Sequence, residues 1–157
     1  MKTWLRGLAL ALPLSAVAFT FGCGSSSNSA GTDAGTSGDT GGTSAPTFTD
    51  VYTKVIMTNS CTLHHAPPTL SGGLDMSTQA KAYSDLVGVP ATTPAGETPA
   101  CTGDRVVAGD AASSLLYEKV SEAKPPCGAQ MPLGLTPISA ADMTMIKDWI
   151  NAGAKNN

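Results

Sequence analysis

The stretch Cys61-Thr62-Leu63-His64-His65 contains both histidines of this 157-residue chain and one of its four cysteines. A segment with helix-type apolar spacing precedes it, and Met131-Pro132 comes much later, shortly before an amphipathic C-terminal segment. Thiol, imidazole and thioether groups are ligands of soft metals and of haem iron. Because these residues fall outside the apolar segments, we expect loops to carry the chemistry of this protein.

The composition argues against several classes of protein. Charged residues make up 13% of the chain, against ~25% in typical globular domains. The 9 basic residues are outnumbered by 12 acidic ones, and they form no basic patch, so we expect no binding to nucleic acid. The sequence has no Gly-x-Ser-x-Gly elbow or phosphate loop, and neither histidine has a promising Ser or acidic partner. We therefore expect neither a nucleic-acid binder nor a hydrolytic enzyme.

Four helices are predicted from apolar residues at helix-face spacing, over about 49–58, 77–88, 110–125 and 139–153. Ser77, Asp110 and Ser139 are suitable N-caps for the second, third and fourth of them. Trp149 is expected in the core, where it would pack the last helix on the first. No convincing alternation of apolar and polar residues predicts a strand. The fold class is therefore mostly α.

The connections 62–76, 88–109 and 125–138 are long and rich in Gly and Pro. Long loops in a small domain are usually functional or held in place by another group. The domain has few aromatic side chains to build a core, namely Phe48, Tyr52, Tyr83, Tyr117 and Trp149. A flat apolar cofactor of macrocycle size would supply the missing volume and order the loops.

The spacing from Cys61 to His65 equals that of C-x-x-C-H, the attachment motif for c-type haem, with His64 in place of the second cysteine. The order of helix, motif, loop methionine and final helix resembles the class I cytochrome c fold. The domain is more similar still to planctomycete-type cytochrome c domains over residues 48–154. The stretches that carry this similarity are Gly72-Gly73-Leu74-Asp75, Arg105-Val106-Val107-Ala108-Gly109-Asp110, Ser114-Leu115-Leu116, Met131-Pro132-Leu133-Gly134, Ile138-Ser139 and Trp149-Ile150-Asn151-Ala152-Gly153-Ala154.

This resemblance implies a role for each residue that matches the motif. Cys61 would form a single thioether bond to haem c, His65 would be the proximal iron ligand and Met131 the distal one. His64 is an alternative iron ligand. A site of this kind would transfer electrons, and the resemblance places the haem between the first and last helices. Arg105 would contact a haem propionate or form a surface salt bridge.

Three cysteines follow the N-terminal region, so one of them is left over if two form a disulfide. A bridge between Cys101 and Cys127 would staple two loops near Met131 and contribute roughly 3 kcal/mol to stability. Cys61 would then be the odd thiol, as a haem thioether requires. In the alternative pairing, Cys61 is bonded to Cys101 or to Cys127.

Two other functions use the same residues. One is a haemless descendant of the cytochrome c fold that serves as a binding or structural module on the cell envelope. The other is a copper site, because Cys, His and Met are the ligands of blue-copper centres. Blue-copper proteins are β-sandwiches, however, and the C-terminal segment of this chain has a helical pattern.

The N-terminal region predicts export. Residues 1–22 have a basic start and a short apolar run, as in a secretory signal peptide. Gly22-Cys23 resembles the lipobox of bacterial lipoproteins, in which Cys23 carries the lipid; ordinary secretion is the alternative. Residues 23–46 are rich in Gly, Ser and Thr and predict a disordered tether. The cytochrome c-like domain would span 47–157, at the outer membrane or its periplasmic face, where it would meet redox proteins transiently.

Overall fold

The structure is a computed structural model that describes residues 44–157. The predicted signal peptide, the lipidation site at Cys23 and nearly all of the linker lie outside these residues. Among the described helices, none has the length and apolar character needed to cross a membrane.

Four helices and no named β-strand are found within 44–157, so the mostly helical prediction is confirmed for this region. Helix α1 comprises an α-helical turn over Phe48–Asp50 that continues as a π-helix over Val51–Ile56. Helix α2 spans Gln79–Leu86, α3 spans Leu115–Ser121 and α4 spans Ala140–Asn151. Short 3₁₀ turns cover Cys61–Leu63 and Ser71–Gly73.

The helix N-termini test the predicted caps. The hydroxyl of Ser139 accepts from the amide of Asp142, as predicted for α4. Helix α2 is capped by Thr78, one residue after the predicted Ser77. The prediction that α3 begins at Asp110 is wrong, since the helix starts after Ser114. The Asp110 carboxylate instead accepts from the amide and hydroxyl of Ser113, which stabilises a turn before the helix.

The core lies where α1, α2 and α4 meet. The Phe48 and Trp149 rings are 5.0 Å apart between centroids, and Tyr83 packs edge-on to Phe48 at 5.2 Å. Trp149 is 1% exposed, so its predicted place in the core between the first and last helices is confirmed. The side chains of Phe48 and Trp149 thus fill the space between α1 and α4.

The C-terminal residue is hydrogen-bonded to the start of α1. The amide of Thr49 donates to the carbonyl of Asn157 at 3.0 Å, and the amide of Phe48 donates to the Asn157 side chain at 3.1 Å. These acceptors satisfy backbone donors that a helix N-terminus leaves without partners. The two ends of the domain are thereby held together.

Candidate functional site

A cavity of about 320 Å³ lies beside the aromatic core. Its walls come from the loops and helix ends within 60–76, 86–105 and 115–135, and none of its lining residues belongs to α1 or α4. The expectation of a cofactor space between the first and last helices is therefore wrong, because Phe48 and Trp149 already occupy that position.

The cavity brings together four residues singled out from the sequence. Cys61, His64 and His65 line it from the segment that follows α1, and Met131 lines it from the loop that follows α3. All four side chains are partly buried. Residues far apart in the sequence thus line one partly enclosed cavity. This agrees with the prediction that Met131 and the Cys61–His65 motif belong to one site.

The His65 ring is fixed by a backbone contact. Its Nδ1 lies 3.0 Å from the carbonyl oxygen of Ser71. Since a carbonyl can only accept, Nδ1 carries the proton and Nε2 keeps its lone pair. Burial lowers the pKa of His65, which favours the neutral ring. The result is an oriented, neutral imidazole, the form that binds a metal.

Cys61 is the one cysteine within 44–157 that forms no disulfide. Burial raises the pKa of its thiol to about 11, so the group is a protonated thiol at neutral pH. The structure pairs Cys101 with Cys127, with their Cα atoms 5.1 Å apart. The alternative pairings through Cys61 are absent from this structure, and the Cys61 thiol lines the cavity.

The loop that carries Met131 is held from three sides. The amide of Met131 donates to the carbonyl of Lys119 at 2.7 Å. The ammonium of Lys119 donates to the carbonyl of Cys127, also at 2.7 Å. The Cys101–Cys127 disulfide then joins this loop to the 88–109 loop. These contacts fix the backbone at Met131 and at Cys127, four residues before it.

Sequence reasoning missed two charged residues of the cavity, Lys119 and Glu97. Burial lowers the pKa of Lys119, and the nearby Glu97 carboxylate partly opposes this shift. Lys119 follows Leu115 by four residues and Leu116 by three, so all three share one face of α3. This helical spacing from two apolar residues is the sequence pattern that could have placed Lys119 on the same face as them.

Arg105 lines the cavity but does not form, within the described residues, the surface salt bridge that was one of its two expected roles. Its side chain is buried. The guanidinium donates instead to the backbone carbonyls of Asp85, Gly72 and Gly73 and to the hydroxyl of Thr92. A buried charge needs such partners to offset its desolvation, and here most of them are main-chain oxygens.

The copper hypothesis gains no support from the side chains described. Residues 44–157 contain no group of three or more His, Cys, Asp or Glu side chains placed to hold a metal ion. The histidine, cysteine and methionine of the cavity offer two kinds of donor, imidazole and sulfur. That set suits a group which needs only axial ligands from the protein.

Comparisons with protein-family models, with curated proteins and with solved structures found no match to this chain.

Proposed function

We propose that this protein is an envelope-tethered electron carrier that holds one c-type haem. Cys61 would form the single thioether bond to this haem, and His65 and Met131 would hold its iron, as the proximal and the distal residue. The haem iron supplies a one-electron couple between its ferrous and ferric states. The chain supplies the attachment, the two axial ligands and a partly enclosed apolar space.

One observation carries this proposal: the oriented His65 ring, the Cys61 thiol and the Met131 side chain line the same cavity. The proton on Nδ1 of His65 leaves Nε2 available for iron. Within residues 44–157 no second cysteine is available to bond a second vinyl group, because Cys101 and Cys127 are bonded to each other and His64 occupies the motif position. The proposal therefore specifies a single thioether.

The residues around the cavity fit a haem in their chemistry. Its apolar wall suits a macrocycle and is formed by Leu74, Met76, Leu86, Leu115, Leu116 and Val120. Lys119 provides a cation in the cavity that could offset the charge of a propionate. Met76 is a second sulfur on the wall, but its amide donates to the carbonyl of His65. Met76 is thus backbone-paired with the proximal residue, which leaves Met131 as the better candidate for the opposite side.

His and Met ligands together fill both axial positions and raise the reduction potential relative to two His ligands. An iron with no open position favours electron transfer over catalysis on a bound substrate. The partners would be redox proteins that meet the tethered domain transiently. In this proposal the lipid on Cys23 keeps the domain at the outer membrane or its periplasmic face.

The test is an absorption spectrum of the full chain exported from a host with c-type maturation genes, oxidised and reduced. A pyridine haemochrome is then recorded after acid-acetone extraction. We expect haem that resists extraction, with a band between the positions of b-type and two-thioether c-type haem. His65→Ala should abolish the axially ligated spectrum, whereas the matched His64→Ala variant should keep it.

Other outcomes would redirect the assignment. Haem that extracts freely would exclude the thioether at Cys61 and leave a non-covalent site. A folded but colourless chain would overturn the electron-carrier proposal in favour of a haemless binding module that uses the same cavity. Copper titration of that colourless chain would then test the remaining alternative.

A further inference from the structure

Arg105 is one of two buried polar or charged residues in the described core, and its exposed fraction is 8%. Its Nη1 donates to the carbonyl of Asp85 at 2.7 Å. Its Nη2 donates to the carbonyls of Gly72 and Gly73 at 2.8 and 3.3 Å and to the Thr92 hydroxyl at 2.9 Å. One guanidinium thus joins the end of α2 to the loop over residues 71–73.

That loop holds the acceptor for His65. The carbonyl of Ser71 accepts from Nδ1 of the ring, and the amide of Ser71 donates to the carbonyl of His64 at 2.9 Å. The next two residues have positive φ angles, 67° at Gly72 and 63° at Gly73. This region is open to glycine but unfavourable for residues with a side chain.

Gly73 also leaves room for the Thr92 hydroxyl. A Cβ atom at Gly73 would lie 3.2 Å from the Thr92 hydroxyl and 3.7 Å from Nη2 of Arg105. The Thr92 hydroxyl in turn donates to the carbonyl of Gly72. The backbone of this loop is therefore held by donors from Arg105 and Thr92, and the residues whose carbonyls accept, Gly72 and Gly73, directly follow Ser71 in the chain.

We propose that Arg105 is a positioning residue for His65, which acts by holding the 71–73 loop so that the Ser71 carbonyl accepts from Nδ1 and Nε2 is left to ligate. The role of His65 in haem ligation rests on the proposed function, whereas the hydrogen bonds of Arg105 do not depend on it. Removal of the guanidinium takes charged donors from three carbonyls, two of them in the 71–73 loop, and the loop loses the anchor that fixes Ser71. The His65 ring then exchanges more freely between its two tautomers.

The experiment measures the tautomer of His65 in the haem-free full chain by ¹⁵N NMR of the imidazole nitrogens. The measurement is made at about pH 8, above the ordinary histidine pKa of ~6.5. The chain has two histidines, so a His64→Gln variant assigns the signals. We expect Nδ1–H to dominate in the parent and its ratio to Nε2–H to fall about fivefold in Arg105→Met, the change that corresponds to loss of one ordinary hydrogen bond.

Arg105→Lys keeps the charge but cannot reach both Asp85 and the 71–73 loop with one ammonium group. This variant should lower the ratio of Nδ1–H to Nε2–H by less than Arg105→Met does. It serves as the test if Arg105→Met does not fold. Lys54→Met, which removes an exposed ion pair with Asp50 on α1, is the control and should leave the ratio unchanged. A folded Arg105 variant with the parent ratio would overturn the proposal. Because no haem is present, a failure of the haem assignment would not alter this result.

Discussion

The contact between His65 and the Ser71 carbonyl is a small feature with a large chemical effect. It determines which ring nitrogen keeps its lone pair, and therefore whether the side chain offers a ligand to the cavity. The sequence identifies His65 by its spacing from Cys61. It gives no indication of Ser71, because the acceptor is a backbone carbonyl and any residue type supplies one.

Replacement of Met131 tests the distal ligand. We expect Met131→Ala to retain haem bound through Cys61 and His65, with a reduction potential lower by on the order of 0.1 V, because the thioether ligand favours the ferrous state. Spectroelectrochemical titration measures this change. Met57→Ala, at a residue that is 50% exposed and absent from the cavity wall, is the matched control. An unchanged potential in Met131→Ala would remove Met131 from the site.

The Cys61 thiol should be unreactive in the haem-free fold. Its pKa is raised from 9.0 to about 11 by burial, so at pH 8 the thiolate fraction is about 100-fold below that of an unperturbed thiol. Alkylation by iodoacetamide, followed by peptide mapping, should be slow in the folded chain and fast in urea. Equal rates in the two conditions would contradict the burial of Cys61.

The same shift predicts how stability changes with pH. Between pH 9.0 and about 11 the folded thiol stays protonated while the unfolded one ionises. The folded state then binds more protons, so the free energy of unfolding falls as pH rises through this window. The free energies of unfolding of the parent and of Cys61→Ala, measured by urea titration, should differ below this window and become similar above it. A constant difference across the window would show that Cys61 does not contribute.

At the level of elements, the start of a helix is predicted correctly where the sequence offers a single N-cap residue. Ser139 precedes α4 alone, and both the start and the apolar face of that helix follow from the sequence. Asp110 and Ser114 are both cap-type residues, four positions apart, and only the fold distinguishes them. The π-helical turns of α1 were also missed, because a pattern of apolar residues does not separate a π-helix from an α-helix over six residues.

The segment that precedes α3 is held by the Ser114 hydroxyl, which is fully buried. It accepts from the amide of Val107 at 2.8 Å and donates to the carbonyl of Asp110 at 2.7 Å. Ser114→Ala leaves both backbone groups without this partner and should lower the free energy of unfolding by about 1–3 kcal/mol. The exposed Ser113→Ala should cost less. Urea unfolding of the two variants compares them directly, and equal losses would refute the assigned role of Ser114.

At the scale of the whole domain, the contact between α1 and α4 lies apart from the cavity, while α2 and α3 contribute to both the core and the cavity wall through Leu86 and Val120. Helices α1 and α4 meet through Phe48 and Trp149, whereas loops carry Cys61, His65 and Met131. The sequence motifs predict which residues line one cavity. They do not predict its position, because that depends on which aromatic side chains meet across distant segments, and no local pattern records such contacts.

The disulfide should contribute to the stability of the domain as a whole. It joins residues 26 positions apart, and closure of a loop of this length is worth about 3–4 kcal/mol through the unfolded chain. Cys101→Ala/Cys127→Ala should lower the free energy of unfolding by this amount in urea, and Cys61→Ala should cost less. A loss below about 1 kcal/mol for the double variant would contradict a stabilising role for this bridge.

The burial of Cys61 also bears on how the protein is made. Under the proposed function, Cys101 and Cys127 would join in an oxidising compartment, while Cys61 would remain reduced until it bonds a vinyl group of the haem. Disulfide exchange requires a thiolate, and the folded environment of Cys61 suppresses that form. Once folded, the chain therefore resists mispairing because the Cys61 thiol is protonated at neutral pH. Of the three cysteines within 44–157, two are joined in the disulfide and the third remains a protonated thiol.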